Sequence, residues 1–188
     1  SNRQEIAGKL SKIPGLSEHF VMSNDDLCLT RPTSRDDFFF STGDARTRRE
    51  SYGMVNGSPQ PGQPDYLNGA RNCAGLLNEK FGVYPTRLHT HSPQSLRKSV
   101  LEEMEAEFPD DFDRTRRNRF RSSDDITAAS FFHAHYSHLT ERSVPVGTPT
   151  RLVQQNHDFE AIFSNITSQV IERGRARFLS VCVNDGHD

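Results

Sequence analysis

Apolar residues are scarce in this sequence. Hydrophobic side chains, with Ala, Tyr and Cys counted, make up 33% of its 188 residues, and the mean hydropathy is -0.73; average soluble domains hold roughly 45–50% apolar residues with glycine included. The chain is still long enough to enclose a core. Either much of it is polar loop around a site, or it leans on apolar surface from another segment or subunit. No apolar run approaches the ~18–20 residues that cross a bilayer, and the first residues lack the basic-then-apolar order of a secretion signal, so a soluble chain is expected. Cysteine is limited to Cys28, Cys73 and Cys182, an odd number without a CxxC pair. That argues against a disulfide framework or a cysteine-based zinc site and points to a reducing cytoplasm. An excess of one charge is also missing: 25 acidic and 23 basic residues leave a net charge of -2. No global field attracts nucleic acid or anionic membrane, and any anion binding must be local.

What is present divides into helical and extended signals. Ile6 and Leu10 run into Pro14-Gly15, which predicts a short amphipathic helix over residues 3–12. Leu67, Ala70, Ala74, Leu77 and Phe81 share helical spacing over Tyr66 to Phe81, closed by Gly82 as a left-handed cap. Similar patterns predict helices over Pro93 to Phe108, over Ser122 to Leu139 with Ser-Ser-Asp-Asp as its cap, and over Phe159 to Ile171. Residues 53–64 and 142–150 read as loops. Phe20-Val21-Met22 and Phe178 to Val183 read as buried strands, each delivering an Asn-Asp at its end.

Three groups of residues could carry chemistry. Asn24-Asp25-Asp26 and Asn184-Asp185 offer the oxygen ligands that Mg²⁺ prefers, although Asn-Asp is also a common turn and Asn184-Asp185-Gly186 a hairpin signal. His89 and His91 stand just before Pro93, where a neutral imidazole could take a proton near pH 7, or they are two solvated histidines of a surface loop. His133, His135 and His138 resemble a zinc cluster only superficially, because residues 133 and 135 lie on different faces of a helix. Arg114, Arg116, Arg117, Arg119 and Arg121 alternate with aspartates, the pattern of a salt-bridged surface. One or two of them, or Arg71, could clamp a phosphate.

Four segments, in order, resemble the Stealth family of sugar-phosphate transferases. The first runs from Ile13 through Phe20-Val21-Met22-Ser23-Asn24-Asp25-Asp26 to Arg31-Pro32 and Asp36-Asp37-Phe38-Phe39. The second runs from Leu67 through Arg71 and Lys80-Phe81-Gly82 to His91-Ser92-Pro93, Leu101 to Met104 and Glu107-Phe108-Pro109. The third is Arg119 to Ile126 with the Phe/His/Tyr-rich stretch after it, and the last is Val181 to Asp185. On this resemblance residues 1–188 form one catalytic domain, with the second conserved region at about 2–60, the third at about 65–140 and the fourth at about 178–188.

The family includes bacterial capsule polymerases and the animal Golgi GlcNAc-1-phosphotransferase alpha/beta subunits. The resemblance implies an α/β, Rossmann-like, helix-rich domain of glycosyltransferase-A type. It implies transfer of a hexose- or N-acetylhexosamine-1-phosphate from a UDP-sugar to a hydroxyl of an oligo- or polysaccharide acceptor, forming a phosphodiester and releasing UMP. His91 matches the His of the family's His-x-Pro motif and is the implied base. Asp25, Asp26 and Asp185 are the implied ligands of Mg²⁺ or Mn²⁺, while Asn24, Arg71 and Arg121 are implied to bind the donor, the two arginines also serving catalysis. A bacterial cytoplasmic location at the inner face of the membrane, with peripheral association and no transmembrane segment, goes with it. The chain has no Trp and starts at the family's second region, so an N-terminal truncation with an incomplete donor pocket is expected, the missing part belonging to a longer parent, to another chain, or being lost altogether. The alternative is a non-catalytic carbohydrate- or nucleotide-binding fragment of the same fold. RNA binding is disfavoured by the balanced charge.

Overall fold

A computed structural model describes residues 8–147, 150–154, 160, 164 and 178–184. The fold is mixed α/β. Among the described residues its eight strands fall into three small sheets. β1 (His19–Met22) pairs antiparallel with β5 (Gln94–Arg97). β8 (Ser180–Asn184) lies between β2 (Leu27–Leu29), antiparallel to it, and β7 (Thr150–Gln154), parallel to it. β3 (Ala45–Met54) lies between β4 (Arg87–His89), antiparallel, and β6 (Ser143–Val146), parallel.

The core is mainly helical. α1 (Asp65–Phe81), α2 (Lys98–Glu107), α3 (Pro109–Arg117) and a π-turn (Ala128–Phe132) leading into α4 (His133–Leu139) bury Ala70, Cys73, Ala74, Leu77, Val100, Leu101, Met104, Phe112, Phe131, Phe132 and Tyr136 together. The face of α1 read from its periodicity is the one that packs, and Gly82 ends it at φ +68° with its N–H bonded to the Asn78 carbonyl. Burial pushes the Cys73 thiol up to about 12, so it packs as a small apolar group. All three cysteines are free thiols.

Several sequence expectations are corrected. Residues 94–97 are strand, not the first turn of a helix. They pair with β1, and Glu18 takes over the start of α2 by accepting from the Ser99 N–H at 3.0 Å, the Ser99 hydroxyl at 2.6 Å and Arg97 Nε at 3.0 Å. Burial alone would raise the Glu18 carboxyl, but these bonds hold it below its ordinary range. The helix expected from Ser122 begins only at Ala128. Its would-be first turns bond elsewhere: Asp125 accepts from the Ser122 N–H, the Ile126 N–H donates to Thr115 Oγ1 at 3.0 Å, and the Thr127 N–H donates to Cys73 Sγ at 3.3 Å.

The loop expected over 142–150 contains β6. The N-terminal helix is a single 3₁₀ turn, Leu10–Lys12, among the described residues, and β1 is half-exposed rather than buried. The helix expected over 159–171 lies outside the described residues except at Glu160 and Ser164, both helical. The arginine-rich surface is salt-bridged as read, with Arg116 joined to Glu105 at 2.9 Å and to Asp113 at 3.3 Å.

Candidate active site

β1 and β5 run antiparallel with Met22 opposite Gln94. The chain leaving β1 as Ser23-Asn24-Asp25-Asp26 and the chain entering β5 as His91-Ser92-Pro93 therefore stand at the same end of this ladder. The third segment arrives through β8: Leu27 faces Cys182, and the Val183 N–H donates to the Asp26 carbonyl at 2.9 Å. The strand that leads to Asn184 thus runs past Asp26. The side chain of Asn184 and all of Asp185 lie outside the described residues.

Residues 24–27 form a turn, closed by the Leu27 N–H on the Asn24 carbonyl at 3.3 Å. A solvated turn explains Asp25, which is exposed. It does not explain Asp26. Asp26 Oδ2 faces the Cys182 thiol at 3.4 Å, and Oδ1 is buried without a partner. An orphaned carboxylate oxygen is costly unless a proton or a cation completes it.

The His91 side carries a second set of orphans. Thr47 Oγ1, Arg49 Nε, His89 Nδ1, His91 Nδ1 and Ser95 Oγ are all buried with no partner. They belong to neighbouring elements, since Arg49 is the cross-strand partner of His89 and β5 packs on β3. Cross-strand partners share a face of the sheet, and two-residue periodicity puts Thr47 on that face as well. Arg49 Nη2 donates to the Ala134 carbonyl at 3.3 Å, and burial lowers its pKa from the ordinary value; no carboxylate pairs with it among the described residues. Burial, with the His91 imidazole nearby, pushes the His89 pKa down to about 4, so at neutral pH His89 adds no charge beside His91. Arg49 Nε is a donor and the two hydroxyls can donate. Such a set suits an anion and a hydroxyl, with His91 Nδ1 open to receive a proton.

Arg71 and Arg121 form a separate group. Arg71 Nε donates to the Asn56 carbonyl at 3.1 Å and Nη1 to Asn68 Oδ1 at 2.9 Å. Its neighbour Asn72 donates to the carbonyls of Ser123 and Asp125 at 2.8 and 2.9 Å, tying the loop that carries the exposed Arg121 to α1. Asn56 follows Val55, whose N–H bonds to Thr86, whereas His91 lies beyond the His89 end of β4. The structure thus brings His91, Asp25 and Asp26 to one ladder end and Arg71 with Arg121 to the flank of α1. His133 and His135 are committed to packing: His133 Nε2 accepts the Arg97 N–H at 3.2 Å and His135 Nε2 bonds the Arg87 carbonyl at 2.8 Å.

Sequence reasoning missed Arg49. The signal was Arg46-Thr47-Arg48-Arg49, a basic run with no acid inside it.

An orphaned carboxylate oxygen and a set of buried guanidinium, hydroxyl and imidazole groups thus belong to segments at one end of the β1–β5 ladder. Comparison with known proteins gives the family. The family description "Stealth protein CR3, conserved region 3" matches residues 90–138, the stretch from the His91 loop through Arg121 to α4. The chain is 48% identical over 184 residues to the capsular polysaccharide phosphotransferase SacB of Neisseria meningitidis serogroup A, which covers 97% of this chain and 34% of the relative. It is 41% identical over 144 residues to an exopolysaccharide phosphotransferase of Nocardia farcinica, covering 77% and 28%. It is 40% identical over 144 residues to the exopolysaccharide phosphotransferase CpsY of Mycobacterium tuberculosis, covering 77% and 27%. The chain belongs to the Stealth family, and it spans about a third of the length of the curated relatives it matches.

A divalent cation is compatible with Asp26, whose orphaned oxygen is the hard donor that Mg²⁺ or Mn²⁺ takes. Among the described residues no group of three or more His, Cys, Asp or Glu could hold a metal, and the expected third carboxylate, Asp185, lies outside them. No helix among the described residues is long and apolar enough to cross a membrane.

Proposed function

We propose that this chain supplies the acceptor-activating part of a sugar-1-phosphate transferase of capsule or cell-surface polysaccharide synthesis. It moves a hexose- or N-acetylhexosamine-1-phosphate from a UDP-sugar to a sugar hydroxyl within a glycosyltransferase-A-type, Rossmann-like frame. The observation carrying this reading is that His91 Nδ1 and Asp26 Oδ1, both buried without partners, belong to segments leaving the same end of the β1–β5 ladder. The printed names of the relatives, capsular and exopolysaccharide phosphotransferases, support it.

In this reading His91 accepts the proton of the acceptor hydroxyl as its oxygen attacks the β-phosphorus. The bond from that phosphorus to the α–β bridging oxygen breaks, UMP leaves, and the sugar keeps its anomeric C–O bond. Burial holds His89 neutral, so it adds no positive charge beside His91. Arg49 stabilises charge on the phosphoryl oxygens from a buried position, where a fixed cation acts most strongly. Asn24 orients the diphosphate, and Asp25, Asp26 and Asp185 would hold Mg²⁺ or Mn²⁺, which would supply positive charge for the leaving UMP. Arg71 and Arg121 bind the donor from the flank of α1, away from the reacting phosphorus. The same reading places the enzyme in the bacterial cytoplasm, peripheral to the inner face of the membrane.

In the complete protein, replacing His91 by Ala should lower phosphodiester formation about 10²–10⁴-fold, the usual worth of a positioned base. A variant within twofold of the wild type would sink the assignment of His91.

A further inference from the structure

His91 is the central residue of a three-residue turn, closed by the Ser92 N–H donating to the Thr90 carbonyl at 2.8 Å. One hydrogen bond of this kind adds little net stability, yet this turn is held from several sides. The Thr90 and Ser92 hydroxyls bond to each other at 2.7 Å, and both residues are buried. The Thr90 N–H donates to the Arg48 carbonyl of β3 at 3.3 Å. Pro93, also buried, fixes its own φ and biases Ser92 towards extended backbone. The Gln94 side chain then folds back onto the turn. Its Nε2 donates to the Thr90 carbonyl at 3.0 Å and to the Ser92 carbonyl at 2.8 Å. Both partners are carbonyl oxygens, so the amide must present its nitrogen to them, and both of its N–H groups are used.

Gln94 thus grips the two residues that flank His91. It is also the cross-strand partner of Met22, the last residue of β1, from which the chain runs on to Asp26. One residue therefore ties the turn that bears the imidazole to the strand that delivers the orphaned carboxylate. The ladder itself is made by backbone groups, so pairing with β1 does not require an amide side chain at this half-buried position. We infer that Gln94 is a positioning residue: its amide sets the His91 imidazole against the Asp26 end of the ladder, and it acts on the transfer through His91. The inference rests on the proposed role of His91 as base. A base has to meet its proton within hydrogen-bond reach, and a displacement of about 1 Å can cost about 100-fold in rate.

The test is a double-mutant cycle in the complete protein: wild type, H91A, Q94M and H91A/Q94M, with a radiolabelled UDP-sugar so that the slow H91A rate is readable. Q94M keeps the length of the side chain and removes both N–H donors. It should lower kcat about 10–100-fold while KM for donor and acceptor stays within about threefold. In the H91A background it should change the remaining rate by less than about twofold, because nothing is left for the amide to position. If Q94M does not fold, S92A, which removes the hydroxyl bond across the same turn, should lower kcat in the wild type and again add nothing to H91A. A Q94M kcat within about twofold of the wild type would overturn the inference, as would an effect confined to KM or an equal loss with and without His91. Those results leave His91 standing as the base, whereas H91A as active as the wild type overturns both readings.

Discussion

Acidification should unfold this protein well above the range in which carboxylates titrate, because two histidines are buried in neutral form. His133 is 1% exposed and His135 4% exposed. Burial first, and then the Arg142 charge, pushes His133 from 6.5 to about 3; burial and the Arg49 charge do the same to His135. Protonating His133 would also turn an acceptor of the Arg97 N–H into a donor facing it. Between pH 6.5 and about 3 the unfolded chain binds protons at these sites and the folded chain does not, so stability falls as the pH falls. Each histidine contributes up to about 1.4 kcal/mol per pH unit, so the pair should cost about 4 kcal/mol between pH 7.5 and 5. That is a large part of the roughly 5–15 kcal/mol that holds a domain together. His89, held down to about 4, acts in the same direction. Glu18, Asp37, Glu103 and Glu105, held below their ordinary values, lose their contributions only at lower pH. Urea unfolding followed by circular dichroism in half-unit pH steps reads the slope directly. A free energy that changes by less than about 1 kcal/mol over this window would refute the reasoning.

Two further effects follow from packing. Leu77→Ala empties a fully buried position in the helical core and should cost about 2–5 kcal/mol in chemical denaturation. Asp125→Ala removes the acceptor of the Ser122 N–H at 3.1 Å and of Asn118 Nδ2 at 2.7 Å. It should cost about 1–3 kcal/mol and speed hydrogen exchange of the 122–127 backbone more than that of α1.

The parts of the fold legible in the sequence are those whose cause is local. α1 declares itself through an apolar stripe and a glycine stop, and its core face follows from the same spacing. β3 does not: Ala45–Met54 is mostly polar and charged, and its strand form comes from pairing with β4 and β6 on either side. Residues 94–97 and 122–127 carry helical signals that lose to distant partners, Glu18 and β1 in one case, Thr115 and Cys73 in the other. Such partners have no signature at short range. The site shows the same division. Asn24-Asp25-Asp26 and His91 stand out as residue types, and the chain's resemblance to its family located them. That Asp26, rather than Asp25, carries the orphaned oxygen depends on the approach of β8. Arg49 and Arg48 look in sequence like a solvated basic run, and only the sheet buries them, on opposite faces.

The central claim concerns which bond breaks, and the nucleotide released reports it. With the complete protein, a UDP-N-acetylhexosamine, an acceptor and Mg²⁺ or Mn²⁺, chromatography of the products should show UMP accumulating in step with a new phosphodiester. Release of UDP with a plain glycosidic product would contradict the account, because it would mean that attack falls on the anomeric carbon.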